Sequence, residues 1–135
     1  MSFTLDLQKF NKKYTGRGDT LVKKVVLDID RGVVMSTPVD TGRARGGWNV
    51  GVNSVDLTER EPDKSGQTTI SRNTEKTQRE VEAGDQVFLS NNVEYIEYLE
   101  DGTSKMPAFA MVEKTLQRFP GIVRKGVNEA KKENP

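Results

Sequence analysis

Apolar residues recur along the chain at two spacings, three-to-four and two, and the switches between them mark out its elements. From Thr20 to Ser36, Val22, Val25, Val26, Ile29 and Val33 share one helical face, with Lys23, Lys24, Asp28 and Arg31 around it. Valine is a mediocre helix former, so this helix depends on tertiary packing. Thr37-Pro38 ends it, because a residue preceding proline is driven out of the α region. Ahead of it, Phe3, Leu7, Phe10 and Tyr14 are spaced as the stripe of a short helix, with Thr4 as a cap. Thr15-Gly16-Arg17-Gly18 breaks that stripe. Asp19 reads as the N-cap of the next helix, which explains it better than the adhesive tripeptide Arg17-Gly18-Asp19.

Trp48, Val50 and Val52 alternate with Asn49, Gly51 and Asn53, the pattern of a strand with one buried face. The lone tryptophan is expected to anchor the core. Asp56–Gly66 is nearly devoid of apolar residues and reads as a long excursion, mobile in isolation or ordered against a partner. A surface helix over Thr68–Glu82 follows, with Ile70, Thr77 and Val81 as a thin stripe. Gln86–Ser90 is a second strand, expected to pair antiparallel with Trp48–Val55. Asn91-Asn92 ends it, Tyr95, Ile96 and Leu99 make one or two helical turns, and Gly102 stops them. Pro107 reads as a first-turn proline. Beyond it Phe109, Val112, Leu116, Phe119, Val123, Val127 and Ala130 hold helical phase through Pro120-Gly121, where a kink is expected.

These elements predict an α+β fold: a small antiparallel sheet packed against an N-terminal helix and a long, kinked C-terminal helix. One domain is expected over 1–135: an N-terminal arm or short helix (1–18), a helix, turn and strand (19–55), and the polar excursion (56–67). A helix, strand and loop (68–107) and the C-terminal helix (108–133) complete it. At 135 residues, 33% hydrophobic and 30% charged, the chain has one modest core, and its surface suits mobile segments or burial in an assembly. No apolar run approaches a membrane span and no signal-peptide core is present, so a soluble, cytoplasmic product is expected.

Net charge is +1, yet unevenly spread: nine Lys/Arg against five Asp/Glu over 1–50, six against twelve over 51–110, and six against three over 111–135. Basic ends thus flank an acidic middle. Either these are solvated faces, or the molecule is bipolar and its acidic side meets the basic side of an identical neighbour. The chain has no cysteine and no histidine, which excludes disulfides, thiol nucleophiles, CxxC zinc sites and histidine-based catalysis. Glu94, Glu97, Glu100 and Asp101 are the densest carboxylate cluster, but they lie on successive faces of one short segment and do not converge on a metal. Gly16, Gly18, Gly46 and Gly47 form no phosphate-cradling pattern. No cofactor, metal site or enzymatic activity is expected.

Two stretches carry the functional reading. Pro38-Val39-Asp40-Thr41-Gly42 is a compact turn in which Asp40 and Thr41 can cap backbone N–H groups, and Gly42 supplies an unusual conformation. Arg43 and Arg45 follow, either facing water or pairing with a partner's carboxylates or DNA phosphate. The sequence PVDTGRARGGW, with NNVEYIEYLEDGTSKMPAFAMVEKTL before the C-terminal helix, resembles the head–tail joining and tail-completion (neck) proteins of long-tailed bacteriophages, of the lambda-type minor tail protein kind. The family pattern runs approximately PVDTGxLR…W and NNxxYxxxLExGxSKxxPxGMV, and the resemblance covers roughly residues 20–130. Ala44 stands where leucine is common, Asp101 where an aromatic often precedes the glycine, and Phe109-Ala110 where Ala-Gly is usual.

The resemblance implies a non-enzymatic virion component: a homo-oligomeric, typically hexameric ring at the head–tail junction that caps the tail, permits head attachment and lets DNA pass. It implies contacts with tail terminator, tail tube and head connector proteins, and sequence-independent contact with genome DNA. The mating surfaces would be Asp40, Thr41, Gly42, Arg43 and Arg45 in the first stretch. In the second they would be Asn91, Asn92, Tyr95, Tyr98, Glu100 and Asp101, with the loop Gly102, Thr103, Ser104, Lys105, Met106 and Pro107. Residues 56–66 would be an arm that orders on a neighbouring subunit. A head-side connector adaptor, a tail terminator and a small nucleic-acid-binding module are the alternatives.

Overall fold

Valine and isoleucine, packed in pairs one helical turn apart, make a single helix the spine of the molecule. The computed structural model describes residues 1–6, 18–82 and 84–133. In it α1 (Gly18–Ser36) buries Leu21 and Val22, Val25 and Val26, Ile29 and Asp30, then Val33 and Val34. Its end is fixed by Thr37, whose hydroxyl donates to Val33 O at 2.7 Å and accepts from Trp48 Nε1 at 2.9 Å. The helix terminus and the core tryptophan are therefore set by one hydroxyl.

The sheet has three strands, β1 (Ser2–Asp6), β2 (Trp48–Val52) and β3 (Gln86–Asn91), in the order β1-β3-β2 and antiparallel throughout. Trp48 pairs with Asn91 and Val52 with Val87, the antiparallel pairing expected, although β2 ends at Val52 and not at Val55. The first strand differs from the sequence expectation. Phe3 and Thr4 lie in a strand, not a short helix, with Phe3 opposite Leu89 and Leu5 opposite Val87. SFTLD alternates at period two as well as fitting a helical stripe, and the free edge of β3 decides between them by supplying a ladder of hydrogen bonds. Phe3 then meets Trp48 edge-on, ring centroids 6.4 Å apart. Leu7, Phe10 and Tyr14, with the break after them, lie outside the described residues. Helix α1 begins at Gly18, one residue before the Asp19 expected to cap it.

The polar excursion is held by its own chain rather than free to order on a neighbour. Asn49 Nδ2 donates to Thr58 O at 2.9 Å, and Arg60 Nε donates to Asn49 Oδ1 at 2.7 Å. Asp56 accepts from Lys76 Nζ at 3.2 Å. The excursion thereby covers the side of β2 expected to face water, so Trp48, Asn49, Val50 and Gly51 are all buried. It ends by capping α3 (Gln67–Glu80): Asp63 accepts from the Thr69 N–H and hydroxyl, both at 2.8 Å, and from Gly66 N at 3.1 Å. Burial alone would raise the Asp63 carboxyl, but these hydrogen bonds outweigh it and hold it low. Asp63→Ala is expected to cost about 1–2 kcal/mol, seen as a lower denaturation midpoint. The wild type alone should show Asp63's share of stability, present above the ordinary carboxylate range and lost as pH falls.

Helix α3 buries Thr69, Asn73 and Thr77 beside Ile70, a stripe more polar than its sequence suggests. These side chains are satisfied locally, as where Thr77 Oγ1 donates to Asn73 O at 2.7 Å. Helix α4 (Ile96–Asp101) ends at Gly102, φ 79°, as expected. The C-terminal run is two helices, α5 (Met111–Gln117) and α6 (Phe119–Glu133), separated at Arg118. Pro120 has no N–H to give Leu116 O, so the ladder stops and restarts, and Leu116, expected in the apolar stripe, is left 36% exposed. Pro107 is not a first-turn residue: α5 begins four residues later, after Ala110 at φ 48°. Helices α3, α5 and α6 all pack on α1.

Candidate functional site

The two sequence stretches, some fifty residues apart, fold onto one another. Gly42 adopts φ 87° and opens α2 (Arg43–Gly46), a single turn in which Gly46 N donates to Gly42 O at 2.9 Å. Asn91 joins this turn to the second stretch. It is fully buried at the end of β3, its Nδ2 donates to Ala44 O at 2.8 Å, and its Oδ1 accepts from Val93 N at 3.0 Å. Gly47 is what allows this approach, since a Cβ there would stand 2.7 Å from Asn91 Oδ1. On the surface, Arg43 grips Glu94 with two hydrogen bonds of 2.7 Å, and its guanidinium lies 5.8 Å from the Tyr95 ring centroid. Those bonds are the main reason the Glu94 carboxyl is held below its ordinary range and the Arg43 guanidinium above it.

Between the stretches runs an apolar groove of about 230 Å³. Val39 and Ala44 form one wall, and Tyr95, Leu99, Met106 and Phe109 the other. The loop beyond α4 is shaped by a two-way bridge: Thr103 N donates to Met106 O at 2.8 Å and Met106 N to Thr103 O at 3.3 Å. Gly42→Ala tests the corner. The φ of 87° is strained for any side chain, and a Cβ would lie 2.6 Å from Lys64 N. A loss of about 2 kcal/mol is expected in urea unfolding.

No protein family, curated protein or solved structure matches the chain.

The structure divides the residues expected to meet a partner. Asn91 and Gly42 are buried and serve the fold. Arg45 turns inward: its Nη2 donates to Thr37 O at 2.9 Å and Met35 O at 3.2 Å, and its Nη1 to Lys64 O at 2.9 Å. Glu100 caps α5, accepting from Val112 N at 2.9 Å and Glu113 N at 3.1 Å. Arg43 is paired within the chain, and Tyr95 and Met106 line the groove. Thr41 accepts from Arg43 N at 3.3 Å yet remains exposed. Asp40, Asn92, Tyr98, Asp101, Thr103, Ser104, Lys105 and Pro107 are exposed and open to a partner. Glu94, named in the sequence only within the carboxylate cluster and not among the mating residues, proves to be the acceptor for Arg43.

Among the described residues no cluster of three or more acidic side chains is arranged to hold a metal, and no helix is long and apolar enough to cross a membrane.

Proposed function

We propose that this chain is a structural component of a long-tailed bacteriophage virion, a tail-completion or neck protein that acts by assembly and not by catalysis. In that role its copies form a ring at the head–tail junction, dock tail terminator and tube proteins on one side and the head connector on the other, and leave a channel for DNA. The protein would collect in the host cytoplasm and end in the virion. The observation that supports this best is the interlocking of PVDTGRARGGW and NNVEYIEYLEDGTSKMP through Asn91 and the Arg43–Glu94 pair. The residues that carry the resemblance form one structural unit rather than two unrelated loops. The uneven charge supports it as well, since a heterologous ring contact needs two complementary surfaces on each copy.

The test is electron microscopy of lysates from phage lacking the gene. Full heads and finished tails, found unjoined, are the expected result. Long irregular tails would move the protein to length termination, and intact infectious particles would overturn the proposal.

A further inference from the structure

Two exposed surfaces of opposite charge lie at the two ends of α5. At its start, Glu100 is used up as a cap and Glu94 by Arg43, but Glu97 and Asp101 are exposed and, among the described residues, have no hydrogen-bond or ion-pair partner. They stand i,i+4 on α4, where like charges repel, with Tyr98 between them at 61% exposure. At the far end Arg118 enters an open groove of about 720 Å³ between α1 and α6. Arg31, Arg118 and Lys125 line it against one carboxylate, Asp28, with Met35 and Ile122 as apolar ground. Neither arginine has an ion-pair partner among the described residues, and Lys125 has only a loose 3.9 Å approach to Glu129. Gly32 leaves room for the Arg118 guanidinium against the α1 backbone, where any Cβ would collide with it.

Val112 and Arg118 are six residues apart on this run, about 9 Å of helix, and among the described residues no ion pair joins the two surfaces within one chain. We infer that they meet between chains: the α4 face of one copy, Glu97, Tyr98 and Asp101, seats in the α1–α6 groove of the next. Glu97 and Asp101 neutralise Arg31, Arg118 and Lys125, and the Tyr98 ring lies on Met35 and Ile122 as the anchor. The DTGRAR corner is not the receiving surface, because its arginines are satisfied within their own chain. The contact is head-to-tail, so copies add in one direction, and the ring of the proposed function requires that the rotation from one copy to the next close on itself. This deepens the proposed neck function by naming the subunit contact.

Charge exchange tests it in sedimentation of the full chain, with no phage present. Arg31→Glu with Arg118→Glu, and separately Glu97→Arg with Asp101→Arg, should each weaken self-association by about tenfold or more. Mixing the two variants should restore the oligomer, because each supplies the surface complementary to the other, and so should all four substitutions in one chain. A wild-type chain that stays monomeric at millimolar concentration overturns the contact, as does failure of both the mixture and the fourfold variant to assemble. If the groove variant instead keeps its oligomer and loses affinity for double-stranded DNA, the groove is a nucleic-acid surface and the contact is overturned. Rescue by exchange alongside phage that join heads to tails without the gene would sink the function and keep the contact. Failed exchange with unjoined heads and tails would do the reverse.

Discussion

Asp30→Asn is expected to raise stability at pH 8 by about 2–4 kcal/mol, the largest gain we foresee from one substitution. Asp30 is 1% exposed on the core side of α1. Its Oδ1 accepts from Asn73 Nδ2 at 2.9 Å, while Oδ2 has no partner among the described residues. Burial pushes its carboxyl up from 3.8 to about 7, against the Asn73 hydrogen bond and the charges of Arg72 and Arg31. The folded form therefore holds this proton more tightly than the unfolded form does. Asp30's contribution to stability is greatest below the unfolded value of 3.8, falls as pH rises towards about 7, and is level above that. Asparagine keeps the oxygen that Asn73 needs and never ionises. Denaturant midpoints between pH 5 and pH 8 should fall with pH in the wild type more steeply than in the variant. Asp56 works the other way: burial would raise it, but hydrogen bonds from Thr58 and Lys76 hold it at about 2, so its contribution is lost only in acid. Equal slopes for the two proteins above pH 5 would mean Asp30 is already neutralised by another route.

Arg45→Glu is expected to cost about 3–5 kcal/mol and to unfold much of the protein near physiological temperature. The guanidinium spans carbonyls of Met35 and Thr37, at the end of α1, and of Lys64, in the excursion, so three carbonyls from two segments converge on one cation. Glutamate would set a negative charge against three carbonyl oxygens at a helix C-terminus. Lysine should recover only part of the loss, because one ammonium cannot reach all three acceptors with a planar fork's geometry. Arg43→Glu is the control: its side chain is exposed and, among the described residues, its ion pair is with Glu94 alone, so its melting curve should stay close to the wild type. From the sequence alone both arginines read alike, as residues facing water or a partner. Thermal melts that treat the two alike would remove the clamp.

The same contrast shows what was legible in the chain. The long valine helix, the two strands around Trp48 and Leu89, the α4 turn and its Gly102 stop were all written in local periodicity and turn chemistry. Local pattern fails where two periods fit the same residues, as in SFTLD, because only the open edge of β3 makes the strand the better choice. It also fails on polar residues. Asn49 reads as the outward face of its strand and nothing in the pattern singles out Asn73 or Asp30, yet all three are buried because other segments bring them partners.

By itself the sequence determined most of the helices and strands, SFTLD excepted, where most of them stop, and that a bipolar distribution of charge lies along the chain. Tertiary structure alone decided which charges are spent inside the fold and which are left for another molecule. Arg45 and Glu100 are consumed by backbone groups eight to nineteen residues away, while among the described residues Glu97, Asp101, Arg31 and Arg118 have no such partner. Periodicity depends on neighbours within a few residues; a hydrogen-bond partner beyond the next element is fixed only once the chain has closed on itself.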